Sequence, residues 1–176
     1  TAPVIEASYL RFLKIFDQLL QRHRFVLGDR PSSADFAIYA QLTQLAKFDP
    51  TPMKLCLDLA PRVHAWTDIV DDLSGQPAED DGWIEPDGIP EHLGELLSEV
   101  GRVYIPALLA NNAAIDAGHD QMDTTIDGQP WTQPTFPYQA KCLQTLRHRY
   151  FSLDQADRDG VDTALAGTGC EAFLGN

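Results

Sequence analysis

The sequence predicts an all-α protein that carries one small β-hairpin in its second half. Three observations lead to this fold class. Apolar residues recur every three or four positions along most of the chain, which is the spacing of one face of a helix. Ser32 and Asp35 form a strong helix-start signal. Asp127-Gly128 lies between two short segments that suit strands, and this dipeptide is typical of a tight hairpin turn.

The first predicted helix spans Val4–His23. Its apolar residues cover more than one face, which is typical of a helix packed between several neighbours. The main face comprises Ile5, Tyr9, Phe12, Leu13, Phe16, Leu19 and Leu20, and Leu10 and Ile15 extend it.

A second helix is predicted from about Ser33 to Phe48. Ser32 suits the N-cap, because its hydroxyl can accept the free N–H three residues later. Asp35 can reach back to the Ser32 N–H, which makes an aspartate version of the capping box. Pro31 before the cap and Phe36 after it are spaced as a hydrophobic staple. The residues that this helix is expected to bury are Phe36, Tyr39, Leu42 and Leu45.

Two further segments complete the first part of the chain. Asp49-Pro50-Thr51-Pro52 ends the second helix, and a short helical piece leads to Leu59. A third long helix begins at Pro61 and ends near Leu73. Ser74 to Pro90 is rich in Gly, Pro and acidic residues and lacks helical spacing. We therefore predict core helices over 1–75, a connecting loop over 76–90 and a helical extension over 91–176 that packs on the same domain.

The extension is predicted to be helical around its hairpin. Leucines and valines from Leu93 to Leu109 repeat at helical spacing, and Pro106 should kink that helix. The hairpin is expected around residues 122–133. Another helix is predicted over Tyr138–Tyr150, with one stripe formed by Tyr138, Cys142, Leu146 and Tyr150. A last helix is predicted from Asp154 to Leu165, closed by Gly167.

Two segments of the first part resemble the C-terminal helical domain of glutathione S-transferases. Phe25–Phe36 is similar to that family's pattern of a hydrophobic run, Gly-Asp-x-Pro-Ser-x-Ala-Asp and an aromatic residue. Ala60–Trp66 resembles the Ala-Pro-x-Val-x-x-Trp opening of the next long helix. The two matches occur in the family's order. The resemblance implies a helical bundle whose central helix is nucleated by the capping box.

The resemblance also implies what this chain would work with. In the family an upstream helix and a thioredoxin-like domain precede these helices, and that domain holds glutathione and activates its thiol. We therefore expect the chain to be a C-terminal fragment of a longer transferase-like protein, inactive alone, with glutathione as the co-substrate of the whole. No catalytic or cofactor-binding residue is assigned here. Tyr9, Phe12 and Tyr39 are candidates for the wall of the electrophile pocket, with core packing as the competing interpretation.

Composition restricts the possible partners and location. The chain has 176 residues, 44% of them hydrophobic, and a formal net charge of −13. This charge repels phosphates, so binding to nucleic acid or to anionic membranes is disfavoured. Three scattered cysteines favour a reducing compartment over a disulfide framework. We expect a cytoplasmic protein of bacterial type that forms a homodimer or self-associates through its first helix.

Other chemistry has little support in the sequence. The five histidines lack the spacing of a zinc site, so no metal site is predicted. Gly167-Thr168-Gly169 follows a helix, which suits a helix end and not a dinucleotide fingerprint. Arg147-His148-Arg149 is interpreted as a salt-bridged helix surface, with an anion site as the alternative. Two other functions stay open: a non-catalytic interaction module, and a helical ligand-binding protein unrelated to glutathione.

Overall fold

The computed structural model describes residues 2–76, 81–85 and 89–175. Helices dominate it, and a two-stranded antiparallel hairpin accompanies them, so the predicted fold class is confirmed. The helices are α1 (Ala2–Leu19), α2 (Ser33–Leu45), α3 (Pro50–Leu59), α4 (Pro61–Asp71), α5 (Glu91–Glu99), α6 (Ile105–Asp116), α7 (Pro137–Phe151) and α8 (Gln155–Leu165). A π-helical turn covers Val100–Tyr104, a 3₁₀ helix covers Cys170–Leu174, and the strands are β1 (Gln121–Ile126) and β2 (Gln129–Pro134).

The chain divides into two compact units. One comprises Tyr9–Leu93, and the other comprises Thr1–Ser8 with Gly94–Asn176. The predicted loop over 76–90 includes residues 77–80 and 86–88, which lie outside the described residues. That the extension packs on the same domain stays a prediction.

In the unit formed by Tyr9–Leu93, α4 packs against both α2 and α3. Leu13, Phe16 and Leu19 of α1 are fully buried there, together with Leu42 of α2 and Val63 of α4. In this unit α1 is most deeply buried at Leu13, Phe16 and Leu19, and its other apolar residues between Tyr9 and Leu20 are half-buried.

Two predictions about the second helix were wrong. It ends at Leu45 and not at Phe48, and Phe36 and Leu45 are exposed. The buried face of α2 is centred on Asp35 and Leu42, which lie seven residues apart and therefore on one side of the helix. Phe36 and Leu45 lie on its two flanks, outside this buried face.

The first helix is also shorter than predicted. It ends at Leu19, and the N–H groups of Arg22 and His23 both bond to the Leu19 carbonyl oxygen, which closes the helix with a turn. The turn redirects the chain so that Phe25 enters the core with no exposed surface.

The other unit is built around α6, which packs against α7 and β1. Its core includes Leu108 of α6, Met122 and Ile126 of β1, and Leu143 of α7. The hairpin pairs Ile126 with Gln129, and its two turn residues, Asp127 and Gly128, have φ angles of 49° and 72°. Positive φ at both positions is the type I′ geometry that Asp-Gly favours.

The π-helical turn ends two residues before Pro106, the residue at which the sequence predicts a kink. The N–H of Ile105 bonds to the carbonyl oxygen of Val100, five residues earlier. The Cys170 Sγ lies 3.1 Å from the carbonyl oxygen of Leu97, three residues before this turn. The buried thiol therefore contacts the helix directly before its interruption.

Replacing Gly101 by Ala should destabilise the protein by about 1–3 kcal/mol, because the new Cβ would collide with the Thr168 carbonyl oxygen. Gly94→Ala is the matched control, since its Cβ would meet nothing within 4 Å in α5. That variant should be stabilised by up to about 1 kcal/mol through helix propensity. Urea unfolding of both variants checks the pair, and equal stabilities would contradict the close approach at Gly101.

Candidate functional site

The start of α2 is organised by the carboxylate of Asp35, which is fully buried. One carboxylate oxygen accepts hydrogen bonds from the Ser32 N–H at 2.8 Å and from the Ser32 hydroxyl at 2.6 Å. The other oxygen accepts the Val26 N–H at 2.8 Å. Ser32 and Asp35 also stand in the reciprocal arrangement of a capping box. The carboxylate thus fixes both the helix start and the loop that leads to it.

The loop before α2 is a tight turn crossed by a second segment. Phe25 and Gly28 exchange backbone hydrogen bonds of 2.9 and 3.2 Å. Gly28 also pairs with Trp83, and the Asp29 N–H donates to the Gly82 carbonyl oxygen at 2.8 Å. Gly28 has a φ of 125°, and a side chain there would collide with the Gly82 carbonyl. The glycine of the first motif is therefore required by conformation and by close backbone packing.

Trp66 joins the second motif to the first. Its indole N–H donates to the Arg24 carbonyl oxygen at 3.0 Å, and its ring packs edge-on against Phe16 at 4.9 Å. The indole is buried, so the hydrogen bond satisfies its one polar atom. Arg24 immediately precedes the turn whose Val26 binds Asp35. The two motifs are thereby held together through three consecutive residues.

Two open grooves border this junction, and Arg24 lines both. The first has a volume of about 460 Å³, and the second about 630 Å³. Both volumes fall in the range of small-molecule sites. The first groove is lined by Arg24, Phe25, Asp29, Arg30, Pro31, Phe36, Leu73, Gln76, Asp81 and Gly82. The second is lined by Asp17, Leu20, His23, Arg24, Pro61, Arg62, Ala65, Trp66 and Ile69.

The charged groups around the grooves are engaged with neighbours. The Arg24 guanidinium donates to the Gln76 amide oxygen at 2.7 Å and lies 5.5 Å from the centre of the Phe25 ring. Arg62 approaches Asp17 at 3.6 Å across the second groove. Each groove is therefore lined by apolar side chains together with cations and carboxylates. Such a lining suits a ligand that is partly apolar and partly polar.

The predicted staple residues lie in the first groove. Pro31 and Phe36 both line it, and Phe36 is 49% exposed. A staple contact between them stays a prediction, whereas the Asp35 carboxylate bonds directly to the helix start and to the loop before it.

The three candidate pocket residues are placed apart from these grooves. The Tyr9 hydroxyl lies 3.3 Å from the carbonyl oxygens of Leu45 and Pro52, and burial raises the pKa of Tyr9 well above its usual range. Phe12 stacks on Phe16 with ring centres 5.2 Å apart. The Tyr39 hydroxyl donates to Asp71, and this hydrogen bond raises the pKa of Tyr39. Each makes packing or bridging contacts, and a substrate role for them stays a prediction.

The cysteines are free, and two of them are buried. Burial raises the pKa of the Cys56 thiol and of the Cys170 thiol, because the thiolate would lose its hydration. Cys142 is partly exposed. His64 is half-buried and lies 3.1 Å from the Lys47 ammonium, which also bonds to Asp68 at 2.7 Å. Within the described ranges, no group of His, Cys, Asp and Glu side chains is arranged to hold a metal ion.

The basic cluster of α7 includes one arginine that bonds to backbone. The Arg147 guanidinium forms no salt bridge with a described carboxylate, and it donates to the carbonyl oxygens of Phe173, at 2.7 Å, and Gly175. It thereby ties the C-terminal segment to α7. Gly167 has a φ of 76° directly after the end of α8, which is the geometry of a helix end and agrees with that interpretation.

The structure therefore defines an α-helical domain whose central helix begins at a buried capping box. Residues 3–68 match the family model described as glutathione S-transferase, C-terminal domain. The resemblance carried by the two motifs is thus confirmed over this segment, which includes α1, α2, α3 and most of α4. No curated protein and no solved structure matches the chain. In the part of the chain that the structure describes, no helix is long and apolar enough to span a bilayer.

Asp35→Ala should cost at least about 2 kcal/mol of unfolding free energy, because it leaves the buried N–H groups of Val26 and Ser32 without an acceptor. Ser32→Ala removes a single side-chain partner and should cost roughly 0.5–2 kcal/mol. Asp49→Ala, at the exposed N-cap of α3, is the control and should cost least. Thermal unfolding of the three variants measures these losses. A loss for Asp35→Ala no larger than the loss for Ser32→Ala or Asp49→Ala would contradict the central role of Asp35.

Thiol labelling should separate the three cysteines. Cys142 is expected to react first with iodoacetamide at neutral pH, because the other two thiols are buried and their raised pKa values reduce the thiolate fraction. Peptide mapping by mass spectrometry gives the order. The Cys142→Ser variant should lose the fast phase, and fast labelling of Cys56 in the folded protein would show that its burial is wrong.

Proposed function

We propose that this chain contributes the helical half of a glutathione-dependent transferase of the glutathione S-transferase type. In this proposal a thioredoxin-like domain binds glutathione and activates its thiol, and the helical domain supplies the electrophile pocket and an assembly surface. The observation that carries the proposal is the family match over residues 3–68. The hydrogen bonds of Asp35 support it, because they join residues of the Phe25–Phe36 segment that resembles the family's motif.

The exposed surface of α2 supports a partner domain. Phe36 and Leu45 are exposed, and Phe48, just beyond the helix, is 78% exposed. Apart from buried Asp35, α2 carries no charged residue, although the chain as a whole is strongly acidic. An uncharged surface with exposed aromatic side chains is typical of an interface. We propose that the thioredoxin-like domain or a second copy in a homodimer covers it.

A non-catalytic interaction module is the second candidate function, and the same α2 surface favours it. An exposed apolar helix can serve assembly without any chemistry. The two grooves beside Arg24 keep open a third role, the binding of a ligand unrelated to glutathione. In all three cases we propose a cytoplasmic location of bacterial type, which suits the free cysteines.

The proposal is tested with this chain and with the product of the complete reading frame that encodes it. The complete protein should bind glutathione resin and accelerate glutathione conjugation of chlorodinitrobenzene at least tenfold over the uncatalysed rate. The isolated chain should show neither property, because it would lack the group that activates the thiol. Conjugation is followed by absorbance of the product.

The remaining outcomes distinguish the alternatives. A complete protein that neither retains glutathione nor turns over any electrophile of a broad panel would contradict the transferase and favour the interaction module. Turnover by the isolated chain would overturn the division of labour between two domains. A Phe48→Ser variant provides the assembly control, since it should weaken self-association in sedimentation experiments while leaving the folded state intact.

A further inference from the structure

Helix α7 is the most basic element of an acidic protein. It carries three of the thirteen Lys and Arg residues and no Asp or Glu, whereas the chain has a formal net charge of −13. Lys141, His148 and Arg149 are exposed. The charged groups of Lys141 and Arg149 form no ion pair or hydrogen bond with any other described residue, so they make α7 a locally basic surface on an acidic chain.

The exposed side of α7 also carries apolar side chains. Ala140 and Leu143 are buried on the opposite side, and Arg147 is anchored there. Tyr138 is 65% exposed and Leu146 is 42% exposed. Of the four residues of the stripe that the sequence predicts, Tyr138 and Leu146 are thus exposed, and Cys142 and Tyr150 are half-buried. Exposed apolar side chains arranged in a row are a common sign of a binding surface.

Helical spacing sorts these residues into two parallel columns. Lys141 and His148 are seven residues apart and form one border of the exposed face. Cys142 and Leu146 form the other border, and Tyr138, Thr145 and Arg149 lie between the two. We define the α7 face as these seven residues: Tyr138, Lys141, Cys142, Thr145, Leu146, His148 and Arg149. The ring of Phe136, 6.2 Å from that of Tyr138, extends its apolar end.

We propose that the α7 face docks an acidic amphipathic helix of a partner protein. The face runs from Tyr138 to Arg149, which is about 16 Å along the helix axis and matches three turns of a second helix. Apolar residues of the partner, repeated every three or four positions, would contact Tyr138 and Leu146. Its Asp or Glu residues would then lie beside Lys141 and Arg149, where they find cations that lack a partner in the described chain.

The acidity of the rest of the chain makes this docking selective. A chain with a net charge of −13 repels an acidic helix. On the α7 face, Lys141 and Arg149 attract it instead. A wholly acidic peptide without apolar spacing would gain the charge contacts alone. A basic amphipathic helix would contact the apolar residues, but Lys141 and Arg149 would repel its own cations. The occupant therefore needs both properties together.

The test uses the full chain and a fluorescein-labelled peptide with Leu at helical spacing bordered by Glu. Fluorescence anisotropy should show saturable binding that weakens as salt is raised from 50 to 500 mM. A scrambled peptide of the same composition and a Leu/Lys peptide should bind at least tenfold more weakly. Equal binding of the scrambled peptide would overturn the proposal, because the apolar spacing would then be irrelevant.

Variants locate the site. Lys141→Glu with Arg149→Glu should weaken binding at least tenfold, and Leu146→Ser should weaken it at least threefold. Lys14→Glu with Arg22→Glu is the matched control, because it makes the same charge change on exposed cations that also form no ion pair with a described residue, and it should alter binding less than twofold. All substituted side chains are exposed, and circular dichroism verifies folding. An effect of the control equal to that of the α7 variant would overturn the assignment.

Two other occupants are separated by the same variants. Sedimentation tests whether a second copy uses the face: loss of self-association in the α7 double variant, with no peptide binding by the native chain, would overturn the proposal in favour of a dimer contact. Vesicles containing phosphatidylglycerol test a membrane. Vesicle binding that depends on Lys141 and Arg149, again without peptide binding, would overturn it as well.

Discussion

The structure around the central helix depends on one buried carboxylate. Asp35 accepts hydrogen bonds from the backbone of Ser32 and of Val26, so it satisfies N–H groups at the helix start and in the loop before it. A buried carboxylate is costly unless its oxygens are paired, and here both have donors. The direction in which the chain enters α2 is therefore tied to the position of the preceding turn, and α2 cannot tilt without breaking a bond to that turn.

Two further contacts hold the turn before α2 in place. The segment at Gly82 and Trp83 crosses over Gly28, and Trp66 holds the carbonyl of Arg24 just before the turn. Both supports come from distant parts of the sequence. Three segments of the chain meet at Arg24, and the two grooves lie on either side of its side chain. A site built here would rest on rigid backbone.

Features governed by local chemistry could be predicted from the sequence. The cap at Ser32 and the turn at Asp127-Gly128 depend on residues within four positions of each other, so a short window contains the whole physical cause. The bond from Val26 to Asp35 and that from Trp66 to Arg24 could not be predicted, because they depend on how distant segments pack. The same limit explains the error at Phe36: spacing shows that a residue lies near an apolar face, whereas burial depends on what covers that face.

The π-helical turn between α5 and α6 changes which residues can share one core. Leu96 and Leu108 are both buried, yet they are twelve residues apart and would point about 120° away from each other on an uninterrupted α-helix. A turn that absorbs one extra residue removes about 100° of that difference, so the two leucines come to within about 20° of the same direction. The π-helical turn thus lets the buried sides of α5 and α6 point in nearly the same direction, although one helix follows the other along the chain.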